Sequence, residues 1–178
     1  MEMAKMKWRS PPVSLLAFLF ALLTSSSSIA ACVRGFDKNL SLQDGLAIDR
    51  NAGLIWKRCA IGREWDKRGQ RCTGQPTGLS QGDARQAAQR AGPGWRIPTG
   101  REMDTLRRNA CNGPKIDTNA FPDIALSDFG EGANFWTSTA AMPGTFYYFN
   151  FTDGSVDFHS AGFTLSVLLV RSAEINRR

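Results

Sequence analysis

The chain has 178 residues, of which 42% are hydrophobic and 21% charged, and its formal net charge is +6. This composition is typical of a globular protein, and the sequence shows no internal repeat or long disordered linker. The chain has one histidine and four cysteines, and if the cysteines are paired in disulfides these residues cannot supply the usual ligand sets of zinc, so we expect no metal of that kind and no cofactor.

The first thirty residues have the layout of a secretory signal peptide, which we predict to be residues 1–30. Lys5, Lys7 and Arg9 precede an apolar run, Val13–Leu23, and a stretch of small residues follows. The run is shorter than the about 20 apolar residues of a transmembrane helix, so we expect no membrane span in the mature chain. The protein is therefore expected to be secreted or periplasmic.

The cleavage site has two interpretations. Ser28 and Ala30 suit ordinary signal peptidase, whereas "IAAC", which ends at Cys32, resembles a bacterial lipobox that would anchor the chain through a lipid on Cys32. Cysteines of a secreted protein usually all pair, and lipidation would leave one thiol over. We therefore favour cleavage after Ala30, which leaves one domain, residues 31–178. Its charge is +4, because the removed segment holds three cations and one anion.

A hairpin and a basic loop open this domain. In "LAIDRNAGLIWKRC" the turn residues Asn51–Gly53 separate two short apolar runs, which predicts two paired strands. The loop that follows carries the excess charge of the whole domain. Its six cations, against Glu64 and Asp66, are Lys57, Arg58, Arg63, Lys67, Arg68 and Arg71.

The same loop lies between two cysteines, Cys59 and Cys72. Glycines within it ease the turns, so we predict that these two cysteines pair locally, and that Cys32 pairs with Cys111. Three pairings are formally possible for four cysteines.

Two helices are predicted in the middle of the chain. The first has Ser80 and Asp83 as its capping pair, and it ends at Gly92–Gly94; its apolar face consists of Ala84, Ala87, Ala88 and Ala91. The second has a capping box of Thr99 and Glu102, and its apolar face, Met103, Leu106 and Ala110, predicts a helix that continues to Cys111.

The remainder indicates strands and loops. A turn-rich passage, 112–134, leads to the strand "NFWTST", and a hairpin is predicted to turn at Asp153 and Gly154. The apolar run Val167–Val170 predicts a central strand covered on both faces. We therefore expect an α+β domain with two helices packed on antiparallel sheet, in which the N- and C-terminal segments meet.

Several segments together resemble one family. "AGLIWKRC", "GWRIPTGREMDTL", "FWTST", "FNFTDGSV" and "VLLVRS" occur in the same order as in the Lcl C-terminal domain family of secreted bacterial proteins, over about Gly53 to Ser172. The resemblance implies a C-type-lectin-like fold, related in architecture to formylglycine-generating enzymes. It also implies an extracellular role in adhesion or ligand binding.

The motif residues have structural interpretations. Trp56, Trp95 and Trp136 are expected to anchor the core while each indole N–H finds a polar partner. Arg96 is expected to pair with a carboxylate, and Pro98 allows Thr99 to cap the second helix. The candidate partners of Arg96 are Glu102, Asp123 and Asp153, and Arg171 completes the motif set.

Residues suited to catalysis or calcium binding are few. His159 is the single histidine, and Asp157 and Ser160 are its neighbours in sequence, but a triad requires a nucleophile held against the ring in space. We therefore predict no catalytic residue. Two acidic loops, "DTNAFPD" (Asp117–Asp123) and "ALSDFGEGAN" (125–134), could offer oxygens to calcium, yet neither has the ligand spacing of a known loop.

Three functions are compatible with these features. The favoured one is a non-enzymatic binding or adhesion module that recognises a sulfated or phosphorylated polysaccharide or a surface protein, with no nucleic-acid partner. The alternatives are an oxidase resembling formylglycine-generating enzymes, which would need free thiols, and a lipid-anchored structural protein. The basic loop is either a solvated surface or the ligand site. In the second case its binding residues are Arg58, Arg63, Trp65, Lys67, Arg68 and Arg71.

Overall fold

The architecture was established from a computed structural model, which describes residues 40–107, 114–122, 124 and 133–173. All of these belong to one compact unit, Cys32–Arg178. The predicted signal peptide, Cys32, Cys111, Asp123 and most of the second acidic loop lie outside the described residues. Within those residues no helix is long and apolar enough to cross a membrane.

The described part is an α+β domain, as predicted. Its strands are β1 (Leu40–Gln43), β2 (Leu46–Asp49), β3 (Leu54–Lys57), β4 (Arg63–Asp66), β5 (Arg71–Gly74), β6 (Asn134–Met142), β7 (Thr145–Asn150), β8 (Val156–Ser160) and β9 (Val170–Ser172), and its helices are α1 (Gln81–Arg90) and α2 (Gly100–Leu106). The strands form three antiparallel sheets with the orders β1-β2-β3-β9, β4-β5 and β6-β7-β8. The N-terminal strands and the last strand thus share one sheet.

The predicted hairpin β2–β3 is confirmed, and its turn is built by one side chain. The carboxylate of Asp49 accepts the N–H groups of Asn51 and Ala52 at 3.1 and 2.9 Å. Gly53 then adopts φ of +64°, a conformation that is easy only for glycine. These local bonds explain why a short sequence pattern was enough to predict this hairpin.

The first sheet has a buried face and an outer face. Trp56 and its cross-strand partner Val170 are fully buried, because their side chains point into the core. Ile55, Lys57 and Arg171 point the other way, since successive strand residues alternate faces and Ile55 pairs with Arg171. These three outer-face residues are only partly buried.

Both helices begin where the sequence predicts. Ser80 caps α1 by accepting the N–H of Asp83 at 3.2 Å, and α1 buries Ala84 and Ala88. Thr99 and Glu102 form the capping box of α2.

The predicted end of α2 is wrong. Its last helical residue is Leu106, and Arg107 already has an extended backbone, so α2 ends earlier than predicted; Ala110 and Cys111 lie outside the described residues. After Leu106 the sequence offers no large apolar residue to extend the buried face.

The core consists of two clusters. The first gathers around Trp56, Phe121, Phe135 and Phe151, and the second contains Trp136, Ile97 and the buried face of α1. Burial of these side chains is the main stabilising contribution.

The run Leu165–Val170 connects the two clusters and is buried throughout. Val167 and Leu169 pack in the second cluster, whereas Leu168 and Val170 pack in the first. The predicted cover on both faces is therefore confirmed, but the predicted central strand is wrong. Only Val170 enters β9, which lies at the end of the strand order of the first sheet. The preceding residues bond to loops instead, for example through the N–H of Ile61 to the carbonyl of Val167.

Candidate functional site

The basic loop contains a small hairpin that the sequence analysis did not predict. Strands β4 and β5 pair from Arg63 with Gly74 to Asp66 with Arg71, and residues 67–70 form the turn. The predicted disulfide between Cys59 and Cys72 is present and joins the hairpin to the end of β3. The sequence signals for this hairpin were alternating side chains and a turn around Gly69. They were hard to recognise because six cations make the segment resemble a solvated loop.

Arg58 lies apart from the exposed cations, contrary to the expectation for this loop. Only 5% of its surface is accessible. Its guanidinium donates three hydrogen bonds of 2.7 to 2.8 Å to the backbone carbonyls of Asp44, Asn119 and Ala120. Burial lowers the pKa of Arg58, and the charge of Asp117 opposes this effect. Because this guanidinium is buried and donates to three carbonyls, it is not available to a surface ligand.

Trp65 contacts this buried cation. The Arg58 guanidinium carbon lies 3.8 Å from the centre of a Trp65 ring, which is a close cation–π contact. The indole N–H is enclosed and has no hydrogen-bond partner among the described residues. One reason for the close fit is Gly45, where an added Cβ would lie 2.9 Å from the Cβ of Trp65.

The exposed cations of the hairpin are partly compensated by carboxylates. Lys67 lies 3.1 Å from a carboxylate oxygen of Asp44, and Arg71 lies 3.8 Å from one of Asp66. Arg68 is exposed and forms no ion pair with any described residue. The tip of the hairpin, Lys67 and Arg68, is therefore its most cationic part.

A groove of about 440 Å³ runs beside the hairpin. Lys57 and Arg63 supply its positive charge and Glu64 its negative charge. The other lining residues come from β2 and the turn before it, the basic loop with β4, the C-terminal end of α1 and the buried run; they are Gly45, Leu46, Cys59, Ala60, Ile61, Gly62, Trp65, Ala87, Ala91 and Leu169. This volume is in the usual range for sites of small ligands.

Lys57 and Arg171 form a second cationic group on the outer face of the first sheet. The ammonium of Lys57 lies 5.2 Å, and the guanidinium carbon of Arg171 5.0 Å, from the centre of a Trp95 ring. Trp95 is half-buried, so the expectation that it is a core anchor holds only in part. This group was not predicted from the sequence, although alternation along β3 places Ile55 and Lys57 on one face.

The other motif tryptophans are fully buried. The indole N–H of Trp136 donates to the carbonyl of Leu79 at 2.8 Å, as expected for a buried indole. Trp56 packs edge-on against Phe121, but its N–H finds no partner among the described residues, contrary to expectation.

Arg96 binds Glu102, one of its three candidate partners. Two hydrogen bonds of 2.7 and 2.6 Å join the guanidinium to the carboxylate. The Glu102 bond raises the pKa of Arg96. Asp153 instead accepts the N–H of Ser155 in the β7–β8 turn.

His159 and the first acidic loop show local contacts. His159 stacks on Phe163, with 3.6 Å between ring centres, and its Nδ1 accepts the N–H of Ser160 at 2.9 Å. Asp117 accepts the N–H of Asn119. In the described ranges no three His, Cys, Asp or Glu side chains come close enough to hold a metal ion.

The family model described as the Lcl C-terminal domain matches residues 45–171. None of the curated proteins compared with the chain matches it.

Proposed function

Since the chain belongs to the Lcl C-terminal domain family, we propose that it is a non-enzymatic extracytoplasmic binding module that recognises a sulfated or phosphorylated polysaccharide. In this proposal the scaffold is a C-type-lectin-like fold, and the tip of the β4–β5 hairpin is the main contact. A family relation alone does not define an activity, so the proposal depends on the site.

The supporting observation is that the hairpin tip carries its cations on a fixed support. The disulfide between Cys59 and Cys72 and the buried Arg58 both hold the hairpin base. Sites on rigid elements lose less conformational entropy when a ligand binds. Lys67 and Arg68 are thus presented to solvent from a constrained position.

The existing ion pairs do not prevent such binding. The Lys67–Asp44 pair is exposed on both sides, with side-chain accessibilities of 76% and 59%. Exposed pairs of this kind contribute between about 0 and 1 kcal/mol, so a polyanion can compete with Asp44 for Lys67. Arg68 adds a guanidinium suited to bidentate contacts with sulfate or phosphate.

Chromatography of charge-reversal variants tests the proposal. Wild type and Lys67→Glu/Arg68→Glu are compared on a heparin column and on a cation exchanger of matched charge density. The matched control, Arg50→Glu/Arg101→Glu, makes the same charge change at two exposed positions away from the hairpin. Circular dichroism verifies that each variant is folded.

We expect wild type to need more salt for elution from heparin than from the exchanger, and binding to weaken steeply with salt because charges are screened beyond about 8 Å. The hairpin variant should lose this extra retention, whereas the control should lose only the part common to both columns. If the two variants lost heparin retention equally, retention would depend on the net charge of the protein and not on a site at the hairpin tip. Absence of wild-type retention on heparin at low salt would reject the proposal.

A further inference from the structure

The group of Lys57, Trp95 and Arg171 concentrates positive charge in a small area. Arg171 pairs with Ile55, two residues before Lys57, so the two cations are diagonal neighbours on one sheet face. Two positive charges on neighbouring side chains repel each other. Among the described residues no carboxylate forms an ion pair with either cation.

The contacts of these cations leave their charge available. A cation–π contact holds a cation in place without neutralising it, as a carboxylate would. The Nε of Arg171 is enclosed and has no hydrogen-bond partner among the described residues. An enclosed donor without a partner is costly, and an oxyanion is the kind of acceptor that this donor lacks.

Space for a ligand lies beside this group. A concavity of about 510 Å³ is lined by Ile55, Pro93, Gly94, Arg171, Ser172 and Ala173. Ile55 and Pro93 offer apolar surface, whereas Arg171 offers a planar donor that fits an oxyanion. Lys57 lines the groove of about 440 Å³ and not this concavity, and the Trp95 ring contacts both cations.

We propose that Lys57, Trp95 and Arg171 form a second binding site, separate from the hairpin tip, for a single oxyanion group on a small acidic sugar. The oxyanion is a carboxylate or a sulfate ester, which Arg171 binds through its guanidinium while Lys57 supplies a second charge. The apolar surface of Ile55 and Pro93 accommodates the C–H face of the sugar ring. Trp95 holds the two cations in place.

Nuclear magnetic resonance of the indole N–H groups tests this site directly. The isotopically labelled chain is titrated with D-glucuronate, with glucose 6-sulfate and with neutral glucose, and the Trp95 resonance is assigned from its loss in Trp95→Phe. We expect saturable shifts of the Trp95 resonance with one or both anionic sugars and none with glucose. The two anionic probes distinguish a carboxylate site from a sulfate site.

Variants then assign the contacts. Arg171→Gln should weaken binding roughly tenfold or more, because a charge-assisted hydrogen-bond pair is lost. Lys57→Gln should weaken it by a smaller factor, and the exposed control Arg101→Gln should leave it unchanged. If Arg171→Gln does not fold, Arg171→Lys, which keeps the charge but loses the fork, and Lys57→Gln provide the test.

Two results would overturn the site. One is the absence of a saturable shift of the Trp95 resonance with both anionic sugars. The other is that Arg101→Gln weakens sugar binding as much as Arg171→Gln does. The hairpin variant Lys67→Glu/Arg68→Glu should bind the acidic sugars as wild type does. Heparin retention tests the hairpin tip and sugar binding tests the second site, so either proposal can fail while the other holds.

Discussion

Arg58 joins three parts of the chain through a single guanidinium. It donates to the β1–β2 turn at Asp44 and to two carbonyls of the 114–122 segment, and one of its faces covers Trp65. Buried cations are tolerated when they are hydrogen-bonded, and each of the three guanidinium nitrogens of Arg58 donates one such bond. Arg58 therefore acts in the fold and not at the surface.

We predict that Arg58→Ala lowers the free energy of unfolding by about 3 kcal/mol or more, because it leaves buried carbonyls without partners. Arg58→Lys should recover part of this loss, since an ammonium cannot reproduce the planar fork. Urea unfolding measures both. The exposed Arg68→Ala is the control, expected to stay within about 0.5 kcal/mol of wild type. Equal effects of Arg58→Ala and Arg68→Ala would contradict the assigned role.

Glu102 makes stability depend on pH. Burial acts to raise its pKa, but the hydrogen bonds from Arg96 and Thr99 outweigh burial, so the pKa of Glu102 lies below its usual value. The unfolded chain therefore binds a proton at a higher pH than the folded chain does. The resulting stabilisation is present above the ordinary glutamate pKa of about 4.3 and is lost as pH falls through the lowered value.

Replacing Glu102 by Gln should reveal this contribution. At about pH 7 we expect Glu102→Gln to lower the free energy of unfolding by about 2 kcal/mol, through weaker bonds to Arg96. At about pH 3 or below, the difference from wild type should shrink, because wild-type Glu102 is itself being protonated. Denaturant titrations at both pH values measure this. Asp104→Asn, at an exposed pair with Arg107, is the control. A difference that does not change with pH would refute the assignment.

At the scale of elements, the β4–β5 hairpin depends on its attachments. Each of its strands has four residues, and an isolated hairpin of this size is marginally stable in water. The disulfide and the packing of Trp65 on Arg58 supply the missing stability. The hairpin should therefore be the element most sensitive to reduction.

We predict that Cys59→Ser/Cys72→Ser lowers the free energy of unfolding by about 3 kcal/mol in the chain-entropy description of disulfides. Trypsin should then cleave faster after Lys67 and Arg68, which mass spectrometry can locate. Cleavage after Arg101, in α2, serves as the internal control. If the hairpin sites were cleaved no faster relative to Arg101, the disulfide would not be what holds this element.

The whole molecule is organised around two hydrophobic clusters and one chain segment between them. Residues 167–170 supply alternate side chains to the two clusters, which explains why this run is apolar throughout although it is not a central strand. Ile55, Lys57 and Arg171 point away from the first cluster and lie partly buried on the outer face of the first sheet. The proposed acidic-sugar site is thus a consequence of the sheet order, which brings β9 beside β3.

The sequence by itself determined the features whose partners are close along the chain. The Asn51–Gly53 turn, the two helix caps, the Cys59–Cys72 bond and the Arg96–Glu102 pair all join residues within about a dozen positions, and each has a recognisable local chemistry. The ordered motifs also identified the family. Patterns of burial were correctly predicted for the run before β9, because burial depends on hydrophobicity more than on strand pairing.

Tertiary structure alone decided the features whose partners are distant. Arg58 looks like any other cation of the basic loop until the fold brings the carbonyls of Asn119 and Ala120 against it. Trp95 gains its two cations from strands that are separated by more than a hundred residues and meet only in the sheet. A side chain's burial and its electrostatic surroundings are properties of everything packed around it, and those neighbours are set by the fold as a whole.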